Sequence, residues 1–317
     1  MNRPLVSMTV ICYKAEKYIR EAIAGALAQT YSPLEIIFSD DASPDETYSI
    51  IEEAVRDYKG PHRIVLNRNP TNMGIGAHVS KVWFEIAKGD WIIVSAGDDV
   101  SLPHRVERIM QEADIRLGAL HHSVTGIDEQ SRVLPNVENR DSQHEIAPGE
   151  TFEDLIRRGY WLKGATMCLN MDMLRRYGPL DKTVVNEDNI LGYRAFHYGG
   201  VKFIHEPLML YRVHAESISN KYYLKGSYLE FKNRIIQYAK SKLSIAGQVK
   251  KDYSTMNMST NMLLWIRSQI QNSLIDLCLF GDGKFQMDFL LLPGYYKKFL
   301  KKIFMFPYWY FIHKKAD

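Results

Sequence analysis

LEIIFSDDASPDET, residues 34–47, reads as a buried strand that ends in two aspartates and turns into a helix. Leu34 to Phe38 is a short apolar run with β-branched residues. Ser43-Pro44-Asp45-Glu46 has the form of a capping box with proline at the first helical position, and Ile50, Ile51, Ala54 and Val55 mark the helix behind it. If Ser43 caps that helix, Asp40 and Asp41 are left without a structural task. Asp40 then stands as a candidate acceptor for the imide hydrogen of a uracil or thymine ring, a charge-assisted bond. Asp41 is the weaker candidate of the two.

The same alternation extends on both sides. Leu5 to Cys12 reads as a strand, and Glu16 to Gln29 as a helix whose apolar stripe runs Tyr18, Ile19, Ala22, Ile23, Ala26, Leu27. Arg63 to Leu66 is a third strand, about Gly76 to Ala87 a helix, and Trp91 to Val94 a fourth strand. Strands separated by helices predict βαβ units and a mostly parallel sheet, and such sheets bind ligands beyond the carboxyl ends of their strands. Polar chemistry sits at three of those ends: Cys12-Tyr13-Lys14-Ala15-Glu16, Ser39-Asp40-Asp41 and Ser95-Ala96-Gly97-Asp98-Asp99. Carboxylates gathered at one rim repel one another unless a positive group lies between them. A divalent cation with the ligand it holds answers that requirement, and Mg2+ or Mn2+ commonly bridges one or two carboxylates to phosphate oxygens.

The rest of the chain adds less. Residues 115–160 read as polar, loop-dominated and substrate-facing. Ala165 to Leu169 is expected as a strand, Met171 to Tyr177 as a short helix stopped by Gly178, and Glu187 to Tyr198 as a helix ended by Gly199-Gly200. Val201 to Ile204 and Leu208 to Val213 are expected as two strands. Beyond about Ser219 helical stripes take over, first Tyr228, Phe231, Ile235, Ile236 and Ala239, then Met262, Leu263, Ile266, Ile270, Leu274 and Leu277.

Composition narrows the function classes. The 317 residues are 46% hydrophobic and 24% charged with a net charge of +3, ordinary for a globular protein and too small a charge to imply nucleic acid. Cys12, Cys168 and Cys278 are far apart, so neither a zinc site nor a disulfide framework is indicated, and a reducing compartment is favoured. The N-terminal stretch lacks the form of a signal peptide, and no apolar run is long enough to span a bilayer. These features predict a cytoplasmic protein. Its last residues, FLLLPGYYKKFLKKIFMFPYWYFIHKKAD, interleave aromatics with lysines, which suits peripheral contact with the inner face of an anionic plasma membrane; the plainer alternative is a packed helix with a basic face.

Five segments in this order resemble family 2 glycosyltransferases of the inverting, GT-A type: VSMTVICYKAEKYIREAIAGALAQTY, LEIIFSDDASPDET, NPTNMGIGAHVSKVW, GDWIIVSAGDDVSLPHRV and NEDNILGYRAFHYGGVKFIHEPLMLYRVHAESIS. The resemblance covers about residues 4–219. It implies an α/β GT-A fold, a Rossmann-like nucleotide-binding mixed sheet flanked by helices. A catalytic domain would span residues 1–219 and a helical C-terminal extension residues 220–317. It implies that Tyr13 and Glu16 flank the base, Asp40 binds it, Asp98 lies near the ribose, and Asp99 binds the metal. Asp188, with Glu187 as its fallback, matches the carboxylate that serves as catalytic base. Arg212 falls near the donor diphosphate. His214 would touch phosphate or complete the metal shell. Where many members carry Asp-x-Asp-Asp, this chain has Ala96.

The expected activity is that of a hexosyltransferase in polysaccharide biosynthesis. It would move a sugar from a nucleotide-sugar donor, of which a UDP-sugar suits Asp40, to a hydroxyl of a glycan or lipid-linked acceptor, with a divalent metal (Mn2+ or Mg2+). Two rivals stand beside it: a polyprenyl-phosphate sugar synthase on the same fold, and a non-catalytic nucleotide- or glycan-binding protein.

Overall fold

The computed structural model describes residues 3–135, 162–214, 228–256 and 266–274, together with 146, 149–151, 154, 155 and 264. Contacts divide the chain into two units, Met1–Ala215 and Glu216–Asp317.

The first unit is built on β1 (Val6–Cys12), β2 (Leu34–Asp40), β3 (Arg63–Arg68) and β4 (Trp91–Ala96), all mutually parallel. The apolar residues of β2 and β4 are enclosed on both faces, with Ile36, Ile37, Phe38, Ile92 and Ile93 fully buried, as expected for parallel strands between helices, while the edge strand β3 is partly exposed. The helices of this half are α1 (Ile19–Leu27), α2 (Thr47–Val55) and α3 (Ile75–Lys81), the last continued by a π turn over Val82–Ile86. The full sheet runs β3-β2-β1-β4-β7-β6-β8-β5, with β5 (Val100–Ser101), β6 (Ala119–Ile127), β7 (Cys168–Asn170) and β8 (Val201–Arg212). β7 and β5 are antiparallel to their neighbours, so the sheet is mixed. Three further helices are α4 (Arg105–Glu112), α5 (Met171–Tyr177) and α6 (Glu187–Tyr198).

Four expectations are corrected. Helix α1 begins at Ile19 rather than Glu16. Lys14 takes a left-handed φ of 55°, and the Ala15 carbonyl accepts the N–H groups of both Tyr18 and Ile19, so residues 13–18 form a turn. Ser43 does not cap α2: the helix starts at Thr47, whose N–H and hydroxyl both donate to Asp45 Oδ1. The region after residue 115 is not all loop, since β6 is a buried strand of the core. Its polar His121, His122 and Ser123 conceal it from a hydropathy reading. Residues 201–212 form one strand, with a register shift against β6 beside Pro207 in place of a break.

In the second unit, α7 (Tyr228–Met256) buries Ala239, Ile245, Ala246 and Val249. No helix among the described residues is long and apolar enough to cross a membrane. The aromatic and lysine-rich C-terminal segment lies outside the described residues.

Candidate functional site

The strand register brings the three polar strand ends together. Cys12 at the end of β1 pairs with Asp40 of β2, and Ile11 pairs with Ala96 of β4. Gly97 lets the turn after β4 press on the turn after β1: a Cβ at this position would lie 3.0 Å from Ala15 Cβ and 3.1 Å from Cys12 Sγ. Tyr13, Asp40, Asp41, Asp98 and Asp99 therefore share one rim.

Asp40 is fully buried, and its carboxylate faces inward. Its Oδ2 accepts the Ser43 N–H at 2.9 Å and its Oδ1 accepts the Ser43 hydroxyl. The Ser43 hydroxyl oxygen accepts the Lys14 N–H at 2.9 Å, so Asp40 holds the left-handed turn that follows the exposed Tyr13. Asp41, 3% exposed, accepts from Asn69 Nδ2 and the Met73 N–H through Oδ1, and from the Gly74 N–H through Oδ2. Both aspartates thus have structural tasks, contrary to the reading that Ser43 relieves them. The exposed Glu16 accepts the Glu46 N–H at 3.1 Å and ties the first turn to the start of α2.

The second acidic pair is arranged differently. Asp99 is 4% exposed and its Oδ1 accepts the Arg212 N–H at 2.8 Å. Burial and the adjacent charge of Asp98 raise its pKa well above the usual carboxylate range, against the pull of that N–H and of Arg105 and Arg212. The Asp98 side chain keeps 32% of its surface, and its Oδ2 lies 3.0 Å from His214 Nε2. The His214 ring leans on Tyr18 with centroids 4.9 Å apart, and the Arg212 guanidinium lies 4.7 Å from the centroid of the same ring.

Arg212 is not placed to clamp a diphosphate. Its side chain is fully enclosed. Nε donates to the Asp98 carbonyl, Nη1 to the Asp128 carbonyl and Ser131 Oγ, and Nη2 to Glu21 Oε2, all at 2.9–3.0 Å. The alternation of Arg212 and His214 with Val213 gave no sign of this. Only the burial of the strand end, invisible in sequence, distinguishes an enclosed tie from a clamp.

The start of α6 joins the same rim from two sides. The loop before it packs on Gly76, where a Cβ would meet the Val184 carbonyl at 2.7 Å, and Gly74 just ahead of α3 is bonded to Asp41. On the other side, a Cβ at Gly164 would lie 3.3 Å from Glu187 Oε1, and the next residue, Ala165, is bonded through its carbonyl to Arg105. Glu187 and Asp188 are half-buried. Burial pushes Asp188 up to about 6; burial and then the charge of Asp188 push Glu187 up to about 8. Both carboxyls thus keep their protons to higher pH than ordinary carboxylates, a property that suits proton transfer.

The Asp98 carboxylate oxygen and the His214 imidazole nitrogen, 3.0 Å apart, are donors of the kind that hold a divalent cation. Among the described residues no cluster of three or more His, Cys, Asp or Glu side chains stands ready to hold a metal alone. Sequence reasoning missed Tyr18 and Glu21, read only as helix residues, and the buried Arg105. It also missed Lys163, whose ammonium lies 5.0 Å from the centroid of the Tyr211 ring.

A family model described as glycosyl transferase family 2 matches residues 7–176. The chain is 27% identical over 263 residues to the putative glycosyltransferase EpsH of Bacillus subtilis, covering 76% of this chain and 73% of that protein. It is 28% identical over 225 residues to an uncharacterized glycosyltransferase of Rickettsia prowazekii, covering 68% of this chain and 66% of that one. Among solved structures, S. aureus TarS 1–349 in complex with UDP-GlcNAc aligns with a TM-score of 0.55 at 17% identity, over 86% of this chain and 80% of that one. The mannosyltransferase PcManGT of Pyrobaculum calidifontis, in complex with GDP-Man and Mn2+, aligns with a TM-score of 0.52 at 14% identity, over 96% and 86% of the two chains.

Proposed function

The chain belongs to glycosyl transferase family 2 and is a transferase of the GT-A fold, and from that premise we propose an inverting sugar transfer from a nucleoside-diphosphate donor, with UDP as carrier, to a hydroxyl of a glycan or lipid-linked acceptor. The observation that carries this reading is the partly exposed Asp98–His214 pair at the strand rim that also receives the Glu187–Asp188 end of α6.

Tyr13 and the turn after it face the nucleoside. Asp40 acts on that turn through Ser43 and Lys14. Asp41 shapes the loop at Met73 and Gly74. Asp98, Asp99 and His214 are the residues that hold a divalent cation, Mn2+ or Mg2+, with the diphosphate. When bound, the ion stabilises the negative charge that develops on the departing nucleoside diphosphate. Arg212 serves by fixing the Asp98–Asp99 turn. Asp188 takes the proton from the acceptor hydroxyl, with Glu187 beside it as the alternative base; the hydroxyl oxygen then bonds to the anomeric carbon on the face opposite the leaving group and inverts it. The rival readings, a synthase charging polyprenyl phosphate and a non-catalytic binder, are not favoured.

The test is calorimetric binding of UDP and GDP with and without Mn2+, followed by UDP release from a panel of UDP-sugars. Binding of UDP that requires Mn2+ supports the reading. GDP bound more tightly than UDP would replace the carrier, and no nucleotide binding at all would sink the donor assignment.

A further inference from the structure

We propose that Arg105 is the positioning residue that sets the Glu187–Asp188 end of α6 against the Asp98–Asp99 turn; the catalytic part of this inference rests on the reading above. Arg105 is fully buried, and its guanidinium uses every direction of its fork. Nε donates to His122 Nε2 at 2.9 Å. Nη1 donates to Ser95 Oγ at 2.7 Å and Ser101 Oγ at 2.9 Å. Nη2 donates to the Val94 carbonyl at 2.8 Å and the Ala165 carbonyl at 2.7 Å. His122 is held neutral: burial pushes its pKa well below the ordinary value, the Arg105 charge pushes the same way, and its Nδ1–H donates to the Ser123 carbonyl at 2.7 Å.

The last pair of acceptors carries the argument. β4 and β7 pair in antiparallel register as far as Ile93–Cys168, and the final backbone bond runs from the Val94 N–H to the Met167 carbonyl. Beyond it the chain enters the 3-10 turn Gly164–Thr166, and no ladder holds that turn to β4. The carbonyls of Val94 and Ala165 cannot bond to each other, because both are acceptors. One Arg105 nitrogen bridges them and so takes the place of the missing rung. The turn it fastens carries Gly164, where a Cβ would lie 3.3 Å from Glu187 Oε1. Four residues beyond Val94 the same β4 end carries Asp98. A single guanidinium thus links the carboxylates proposed as base to the edge proposed for the cation, and its two remaining nitrogens brace it on β4, β5 and β6. A lysine offers three donors from one point and cannot span these acceptors.

The experiment uses the full chain and the R105K substitution, read by amide hydrogen exchange, by UDP binding with Mn2+, and by UDP release from a UDP-sugar. Exchange at Thr166, Met167, Ile190 and Leu191 should quicken by about fivefold or more, as for loss of a buried hydrogen bond, while β1, β2 and the Trp91–Ile93 segment stay as in wild type. Affinity for UDP with Mn2+ should change by less than about threefold, whereas kcat falls by about 100-fold, the cost of a small misplacement of reacting groups. Unchanged exchange at Ile190 and Leu191, or quickening spread equally over the whole sheet, would overturn the proposal. If R105K does not fold, G164A decides: it crowds Glu187 from the turn without touching the guanidinium and should give the same loss of kcat with UDP affinity kept, while an unaltered kcat overturns the proposal. Absence of UDP binding by the wild-type chain would count against the donor assignment, and exchange in R105K would still test the tie.

Discussion

The Asp40–Asp41 pair ends β2 and the Asp98–Asp99 pair follows β4, and both stand at the same rim of the sheet. In the first pair both carboxylates are consumed by backbone and side-chain donors of neighbouring turns, and both are enclosed. In the second, Asp99 is enclosed in the same way, but Asp98 keeps a third of its side-chain surface and meets His214. One dipeptide therefore takes two forms: in the first both carboxylates brace neighbouring loops, and in the second Asp98 keeps a partly exposed oxygen. Burial cost explains the division: Asp40 and Asp41, taken out of water, have both oxygens hydrogen-bonded and none left for a ligand, whereas Asp99 accepts through Oδ1.

The comparison can be broken most sharply at Asp98. D98A should lower transfer by about 100- to 1,000-fold, the range for removing one electrostatic contact to a developing charge, while the melting temperature stays close to that of wild type. A large loss of stability in D98A, seen by thermal melting, would place Asp98 with the structural aspartates. Next in size is R212A, which strips the donors from Glu21, the Asp98 and Asp128 carbonyls and Ser131. It should cost about 3 kcal/mol or more in denaturant unfolding, because several acceptors lose their donor together at about 1–3 kcal/mol for each one left buried. A smaller effect belongs to D40A, which frees the Ser43 N–H and hydroxyl. About 1–3 kcal/mol of stability should be lost, with UDP affinity per folded molecule retained within a few-fold. Failure of UDP binding in folded D40A would return Asp40 to the ligand.

How much of this was legible in the sequence follows from what each signal depends on. The parallel half of the sheet was visible because its strands are short apolar runs between turn residues, and the Asp98–Asp99 pair lies just past the end of β4, as that reading expects. β6 was hidden, because ALHHSVTGI carries buried polar groups satisfied by partners such as Arg105, which is distant in sequence but bonded to His122 in space. The enclosure of Arg212 and of Asp40 was equally hidden: a charged residue reads the same whether its partners are a ligand, five protein atoms or water. Arg105 lies in Pro103-His104-Arg105-Val106, and nothing in periodicity or spacing marks it.

The pH dependence gives the mildest test and bears on α6. With Asp188 raised to about 6, transfer should climb about tenfold per pH unit below that value and level above it, and D188N should abolish the limb along with most of the rate. The same shifts set a stability trend. A carboxyl whose folded pKa lies above its unfolded value favours folding at low pH, and that contribution is lost as pH rises through about 6 for Asp188 and about 8 for Glu187. Thermal melting of E187Q across pH 5 to 9 should show a shallower decline than wild type.

The most direct measurement is titration calorimetry of UDP, with and without Mn2+, on the wild-type chain, D98N and D40N. The account predicts that Mn2+ strengthens UDP binding in wild type and in D40N, and that D98N loses the Mn2+ dependence while remaining folded. Mn2+-dependent binding that survives in D98N and disappears in folded D40N would contradict it.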